Sequence, residues 1–240
     1  YINANRVRTQ IMRSWESLMD RVDVIVAPSN SGQLLATNLT GRTNIWRTDT
    51  AGSWPVQLTQ SDDAQTGLAA SADGRYLLFQ QDVGGNEYSD IYRVPVNGGA
   101  VENLTNTPDR RESDLLVGPS GGLVALVTKL KTQGQSNVAV MDGAGRVRDL
   151  TQEADPQFSW SPVAWIADGK ALIANRMRID SKVSEIWRID VASGKAAKLL
   201  GKADTVYAAT DASADGQWIA VSTDEGSGQI HGGLLEAATG

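Results

Sequence analysis

The chain has 240 residues, a net charge of −6 and 41% hydrophobic residues, an ordinary composition for a globular protein. The acidic balance argues against nucleic acid as a partner, because binding a phosphate backbone needs a basic surface. No run of about 18 apolar residues occurs, so the sequence predicts no membrane span. Without cysteine there are neither disulfides nor thiolate metal sites. We expect a soluble protein, with the compartment open between cytoplasm and periplasm or secretion.

The first forty residues differ in pattern from the rest of the chain. Val7, Ile11, Trp15 and Leu18 recur at helical spacing, which predicts one amphipathic helix over residues 3–20. A short apolar run at 22–26 predicts a strand. We therefore divide the chain into a first unit, residues 1–41, and a second unit, residues 42–240.

One pattern recurs four times in the second unit, at a period near 47 residues. Each copy contains a tight turn followed by a short apolar run, and Asp-Gly favours such a hairpin because glycine takes positive φ without strain. The turns are Asp73-Gly74, Ser120-Gly121, Asp168-Gly169 and Asp215-Gly216, at spacings of 47, 48 and 47.

A second pattern repeats in step with the first. Its members are Ile45-Trp46-Arg47, Ile91-Tyr92-Arg93, Val138-Ala139-Val140 and Ile186-Trp187-Arg188. Repeats of 40 to 50 residues built from short strands are typical of β-propellers. We predict an all-β fold, a β-propeller of WD-like four-stranded blades, with about four to five blades in an incomplete ring after the helix. The open blade edges of such an arc predict self-association.

The first unit resembles the C-terminal part of amidase-signature hydrolases. The resemblance is carried by Tyr1-Ile2-Asn3-Ala4-Asn5-Arg6-Val7-Arg8, Val22-Asp23-Val24-Ile25-Val26-Ala27-Pro28-Ser29 and Gln33-Leu34-Leu35-Ala36-Thr37-Asn38-Leu39-Thr40-Gly41. That family usually continues with His-Pro, whereas this chain continues with Arg42-Thr43. The catalytic lysine and serines of amidases have no counterpart here, so no catalytic residue is carried over. One interpretation of the chain is therefore a fragment of an amidase.

Residues from about 37 to 240 resemble the N-terminal β-propeller of prolyl-oligopeptidase-family serine peptidases, of the acylaminoacyl or dipeptidyl type. The more specific segments are Trp54-Pro55-Val56-Gln57-Leu58-Thr59 and Gly84-Gly85-Asn86-Glu87. The resemblance implies a parent enzyme that hydrolyses peptides on a separate hydrolase domain, while the propeller gates substrate access. Residues 37–41 fit both families, and we hypothesise a join between two sequences there. The Asp-Gly repeats are also shared with the Tol-system periplasmic propeller, which favours a protein-binding propeller as the alternative.

The sequence predicts no catalytic, metal or cofactor site within the chain. Gly118-Pro119-Ser120-Gly121-Gly122 looks like a nucleophile motif, but it occupies the repeat position of the Asp73-Gly74 turn. His231 is the only histidine, so a Ser-His-Asp triad has a single candidate base. Asp62-Asp63 and the acidic residues at 82–90 lack the spacing of a calcium loop.

The segment between Phe79 and Ile91 holds the one substrate-binding prediction. Asp82 and Glu87 flank Gly84-Gly85 in what we expect to be a loop between two strands. A carboxylate pairs well with an ammonium group. In a peptidase propeller, Glu87 and Asp82 would therefore help to hold the amino terminus of a peptide substrate or a contact with the hydrolase domain.

Overall fold

The structure is a computed structural model that describes residues 33–37 as backbone, and residues 43–48, 55–119, 122–226 and 228–237. The predicted helix at 3–20 and strand at 22–26 lie outside the described residues. So does the predicted boundary between residues 41 and 42. The strand before that boundary, at Gln33–Thr37, pairs with the strand after it, at Thr43–Arg47.

The described residues contain eighteen strands, which form five antiparallel sheets in chain order that we number as blades 1 to 5. Blade 1 contains β1 (Gln33–Thr37), β2 (Thr43–Arg47) and β3 (Val56–Gln57). Blade 2 contains β4 (Gln65–Ala70), β5 (Tyr76–Gln81), β6 (Asp90–Pro95) and β7 (Glu102–Asn103). Blade 3 contains β8 (Arg110–Val117), β9 (Leu123–Leu130), β10 (Asn137–Asp142) and β11 (Val147–Asp149).

The last two blades follow the same order. Blade 4 contains β12 (Phe158–Ile166), β13 (Ala171–Arg178), β14 (Ser184–Asp190) and β15 (Ala196–Leu200), with a 3₁₀ turn at Ala167–Gly169. Blade 5 contains β16 (Tyr207–Ala212), β17 (Trp218–Thr223) and β18 (His231–Glu236). Blades 2, 3 and 4 are four-stranded, which confirms the predicted all-β propeller. Self-association through open edges stays a prediction.

The repeated Asp-Gly turns join the first and second strands of a blade, as the sequence predicts. Gly74 has φ 68° and Gly216 has φ 74°, the left-handed conformation that a tight hairpin needs. The carboxylate of Asp73 accepts hydrogen bonds from the Ser71 hydroxyl (2.7 Å) and the Arg75 amide (3.1 Å). These hydrogen bonds lower the pKa of Asp73 to about 2. The turn residues thus hold the hairpin by side-chain contacts as well as by backbone shape.

The buried hydrophobic side chains of the described residues form four clusters, one at each junction between consecutive blades. Leu77 and Phe79 of β5 are fully buried against blade 1, whereas Leu78 on the same strand packs against blade 3. Successive side chains of a strand point to opposite faces, so a strand between two neighbouring blades is apolar on both. One strand thus contributes to the core clusters on both sides of its blade.

Candidate functional site

The loop at residues 82–89, between β5 and β6, carries both carboxylates that the sequence analysis selects. It lies at the end of blade 2 where the chain crosses from β7 to β8. The Glu112 amide of β8 donates a hydrogen bond to the carbonyl of Ser89 (2.8 Å), and the Ser89 hydroxyl donates to the carbonyl of Glu112 (2.6 Å). The loop is thus attached to the junction of blades 2 and 3.

Asp82 and Glu87 have different roles within this loop. The Asp82 carboxylate accepts a hydrogen bond from the Glu87 amide (2.9 Å), and Glu87 has φ 63°, an uncommon conformation for a residue with a side chain. Asp63 supports the loop from outside by accepting from the Gly84 amide (2.8 Å). The Glu87 side chain is exposed and has no hydrogen bond or ion pair with the described residues. Asp82 therefore positions the loop, and Glu87 presents a free carboxylate.

Both residues line one open, polar pocket of about 450 Å³. Its other lining residues are Ala64, Thr66, Gln80, Gln81, Ser89 and Arg111. Arg111 comes from the first strand of blade 3, is exposed, and forms no ion pair within the part of the chain that the structure describes. Two carboxylates and one guanidinium, none of them in an ion pair among the described residues, thus border the same cavity. The position of Arg111 beside this pocket was not predicted, because Arg111 lies far from residues 82–87 in the sequence.

Glu112, next to Arg111, is a buried carboxyl group that the sequence analysis missed. Its side chain is 0% exposed, and it accepts hydrogen bonds from the hydroxyls of Thr107 (2.6 Å) and Thr105 (3.2 Å). Burial raises the pKa of Glu112 to about 7, and the nearby Asp90 carboxylate adds to the rise. The Asp90 carboxylate accepts a hydrogen bond from the Thr107 amide (2.9 Å). We call Asp90, Thr105, Thr107 and Glu112 the blade 2–3 latch, since they connect the two blades.

A similar polar contact recurs at the junction of blades 1 and 2. Gln65, Glu112, Trp160 and Tyr207 occupy one repeat position, at spacings of 47, 48 and 47. In blade 1 the Thr59 hydroxyl donates to Gln65, as Thr105 does to Glu112 in the latch. The sequence signal that could have revealed Glu112 is this spacing, because Glu112 places a carboxylate where the other blades have an amide or an aromatic ring.

An ion-pair cluster occupies the blade 3–4 junction. The Arg176 guanidinium contacts Glu153 (2.6 Å) and Glu185 (3.1 Å), whose side chains are 6% and 13% exposed. The Trp160 and Trp187 indoles donate hydrogen bonds to these carboxylates (2.7 and 3.0 Å). All of these charges are paired, so the cluster stabilises the junction rather than presenting a free group.

Of the residues considered for catalysis, His231 lies among the described residues and Ser120 does not. The segment Gly118-Pro119 follows β8, and the Gly118 amide donates to the carbonyl of Leu123 (2.9 Å) across the turn, while Ser120 lies outside the described residues. His231 is exposed at the start of β18, where its Nδ1 lies 3.1 Å from the carbonyl oxygen of Gln229. Among the described residues, no three His, Cys, Asp or Glu side chains are grouped to hold a metal. Within the same ranges, no helix has the length and apolar character that crossing a bilayer requires.

Exposed apolar side chains recur on the same kind of loop as Glu87, the connection between second and third strands. Val83 is 60% exposed in blade 2, Ile179 is 71% exposed in blade 4, and Ile230 is 63% exposed in blade 5. Because blades repeat, these loops share one end of the propeller. That end therefore combines a charged pocket with scattered apolar side chains.

Comparison with known proteins identifies the fold and no family. No protein-family model and no curated protein matches the chain. A protein assigned as TolB from Agrobacterium tumefaciens is 22% identical with a TM-score of 0.58, over 76% of this chain and 62% of that chain. TolB from Acinetobacter baumannii is 20% identical with a TM-score of 0.58, over 90% and 50%. A prolyl endopeptidase is 13% identical with a TM-score of 0.72, over 90% and 34%. The chain thus spans between 34% and 62% of these structures, and it shares their propeller fold.

Proposed function

We propose that this chain is the non-catalytic propeller of a serine peptidase of the prolyl-oligopeptidase type, in which it admits peptides and holds their amino termini at Glu87. The observation that carries the proposal is the unpaired Glu87 carboxylate, fixed by Asp82 beside a cavity that Arg111 also borders. The fold similarity to a prolyl endopeptidase, with a TM-score of 0.72, supports it.

The chemistry of the pocket fits a short peptide. Glu87 offers an acceptor for an ammonium group, and Arg111 offers a planar donor pair for a carboxylate. The volume of about 450 Å³ lies within the usual range for ligand sites. Both groups are exposed, so each contact would contribute only about 1 kcal/mol. The propeller would therefore orient a substrate, and peptide hydrolysis would take place on the hydrolase domain.

Calorimetric titration of the full chain with trialanine and with N-acetylated trialanine tests this proposal. We expect the free amine to bind more tightly, and Glu87→Gln to weaken its binding by about 3- to 10-fold without changing the acetylated peptide. Glu236→Gln, a change at an exposed carboxylate on β18, is the matched control and should have no effect. Equal affinities of both peptides for the wild-type chain would refute a role in amine recognition.

A protein-docking propeller of the Tol kind is the second candidate. The exposed Val83, Ile179 and Ile230 at one end of the blades favour it, and so do the two TolB structures. This candidate implies a periplasmic location. It predicts that replacing the three side chains by serine abolishes partner capture while trialanine binding is unchanged. The amidase interpretation depends on residues 1–41 and gains no support from the described part of the chain.

A further inference from the structure

The two carboxyl groups of the blade 2–3 latch, Asp90 and Glu112, share the hydroxyls of Thr105 and Thr107. The Thr107 Oγ lies 2.6 Å from Oε1 of Glu112 and 3.1 Å from Oδ1 of Asp90. The Thr105 Oγ lies 3.2 Å and 3.3 Å from the same two carboxyl groups. Each hydroxyl has one hydrogen, so two hydrogens serve four contacts when both carboxyl groups are charged. A proton on one carboxyl group supplies a third hydrogen and removes the repulsion between like charges.

Glu112 is the member of this pair that holds the proton. Asp90 accepts hydrogen bonds from two N–H groups, the Thr107 amide (2.9 Å) and the Asn103 side-chain amide (2.7 Å). N–H groups can only donate, which favours the charged form of Asp90. The carboxyl group of Glu112 is fully buried, and its partners are the two hydroxyls, which can turn to accept. Neutral Glu112 therefore donates to Thr107, and Thr107 donates to Asp90.

Asp90 is the main charge that an ionised Glu112 meets. Burial raises the pKa of Glu112 to about 7, the Asp90 carboxylate adds to the rise, and Arg110 opposes it. The Arg110 guanidinium is itself paired with Asp149 (2.9 Å). Strands β4 and β12 pack against β8 and contain no titratable side chain. The titratable side chains on the other strands packed against β8 are Tyr76 on β5, Asp90, Tyr92 and Arg93 on β6, and Lys129 on β9, with Asp109 in the connection before β8.

Both carboxyl residues adjoin residues that line the Glu87 pocket. Ser89 precedes Asp90 and Arg111 precedes Glu112 in the sequence, and Ser89 and Arg111 both border the cavity. Two hydrogen bonds, of 2.8 and 2.6 Å, connect Ser89 with the backbone of Glu112. A movement of Asp90 away from Glu112 would therefore separate two walls of the pocket.

We propose that the blade 2–3 latch is a pH switch, which holds the loop at 82–89 against blade 3 while Glu112 is protonated and releases it when Glu112 ionises. Ionisation passes the proton to solvent and leaves two carboxylates around the same two hydroxyls. Because Glu112 has no contact with water in the closed state, repulsion between the carboxylates favours separation of β6 from β8. The pocket is therefore closed in mildly acidic solution and loosened as the pH rises. The switch does not depend on a ligand, so it stands or fails separately from amine recognition at Glu87.

Hydrogen exchange of the full chain, followed by NMR between pH 5 and pH 8, tests the switch. The Glu112 amide reports the closed state, because it donates to the Ser89 carbonyl. The Trp160 amide is the internal control, since it donates to the Ser136 carbonyl (2.9 Å) at the equivalent place of the next junction and carries no carboxyl group. The pKa of Glu112 rises from 4.5 to about 7 in the closed state, so closing is favoured most below pH 4.5 and is lost as the pH rises through about 7.

The expected result is a local loss of protection against exchange. The protection of the Glu112 amide should fall by about tenfold per pH unit up to about pH 7 and then level off, while that of Trp160 falls much less. The loop amides of Gly84 and Glu87, which donate to Asp63 and Asp82, should follow the Glu112 amide.

Two variants separate the switch from other titrating groups. Glu112→Gln keeps a hydrogen-bond donor in the place of the acid O–H, so the amide at position 112 should stay protected over the whole range. Asp90→Asn removes the opposing charge and should make the fall smaller than in wild type. Glu236→Gln, at an exposed position on β18, is the control and should behave as wild type.

Each outcome decides for or against the switch. Constant protection of the Glu112 amide from pH 5 to pH 8 in wild type would overturn the proposal. An equal fall at Trp160 would also overturn it, because Glu112 would then control unfolding of the whole chain and no local opening. A fall that is confined to Glu112 and the loop, and that is absent from Glu112→Gln, would support it.

Discussion

The buried carboxyl group of Glu112 predicts an unusual pH dependence of stability. Its pKa rises from the ordinary value of 4.5 to about 7 in the folded chain, chiefly because burial disfavours the charged form. The folded state therefore holds a proton that the unfolded state has already released between these values. The stabilising contribution is complete below pH 4.5 and is lost as the pH rises through about 7. A difference of one in pKa corresponds to about 1.4 kcal/mol, so the full loss is about 3 kcal/mol.

Glu112→Gln should remove this dependence while keeping the shape of the side chain. Gln65 occupies the same repeat position in blade 2 and accepts a threonine hydrogen bond, so an amide is compatible with the position. Asp90 and Arg110 are the charged groups that act on Glu112, and both remain in the variant. We expect the variant to gain stability relative to wild type, by up to about 3 kcal/mol, between pH 5 and pH 8.

Urea unfolding at pH 5, 6, 7 and 8 measures this difference directly. Subtracting the unfolding free energies of the two chains at each pH cancels the contributions of the other titrating groups. Glu236→Gln controls for the loss of one negative charge. A stability difference between Glu112→Gln and wild type that is flat over this range would refute the reasoning. The reasoning would also be refuted if the stability of the wild type increased relative to that of the variant as the pH rises.

Two further changes test the blade junctions. Arg176→Gln leaves the nearly buried carboxylates of Glu153 and Glu185 without their guanidinium, which should cost about 2–4 kcal/mol in urea unfolding; a cost below 0.5 kcal/mol would show that solvent already screens them. Gly145→Ala should destabilise by several kcal/mol, because its Cβ would overlap a backbone carbonyl oxygen of blade 2 in addition to the strain of φ 82°. Gly74→Ala, with φ 68° and open space around it, should cost only about 1 kcal/mol, and equal effects of the two alanines would contradict this account.

The fold could be predicted because each blade repeats the same local signals. The Asp73-Gly74 and Asp215-Gly216 turns specify their hairpins through glycine φ and aspartate hydrogen bonds, which are local in the sequence. The repeated apolar runs specify strands buried on both faces. The helix at 3–20 stays a prediction, since it lies outside the described residues.

The candidate site was predicted only in part, because its geometry depends on contacts between blades. The sequence selects Asp82 and Glu87 together, but only the loop backbone decides that Asp82 turns inward and Glu87 outward. Arg111 reaches the same pocket from the next blade, and no spacing rule brings it there. Glu112 lies at a repeat position in the first strand of its blade. The sequence patterns that predicted the fold cover the turn and the third strand, so they do not include this position.

Sequencing the source DNA beyond codon 240 tests the central claim most directly. The proposal of a peptidase propeller predicts an in-frame hydrolase domain with a Gly-x-Ser-x-Gly motif, followed by its aspartate and histidine. A reading frame that ends after further blades, with no hydrolase domain, would contradict the peptidase function and favour the protein-docking propeller instead.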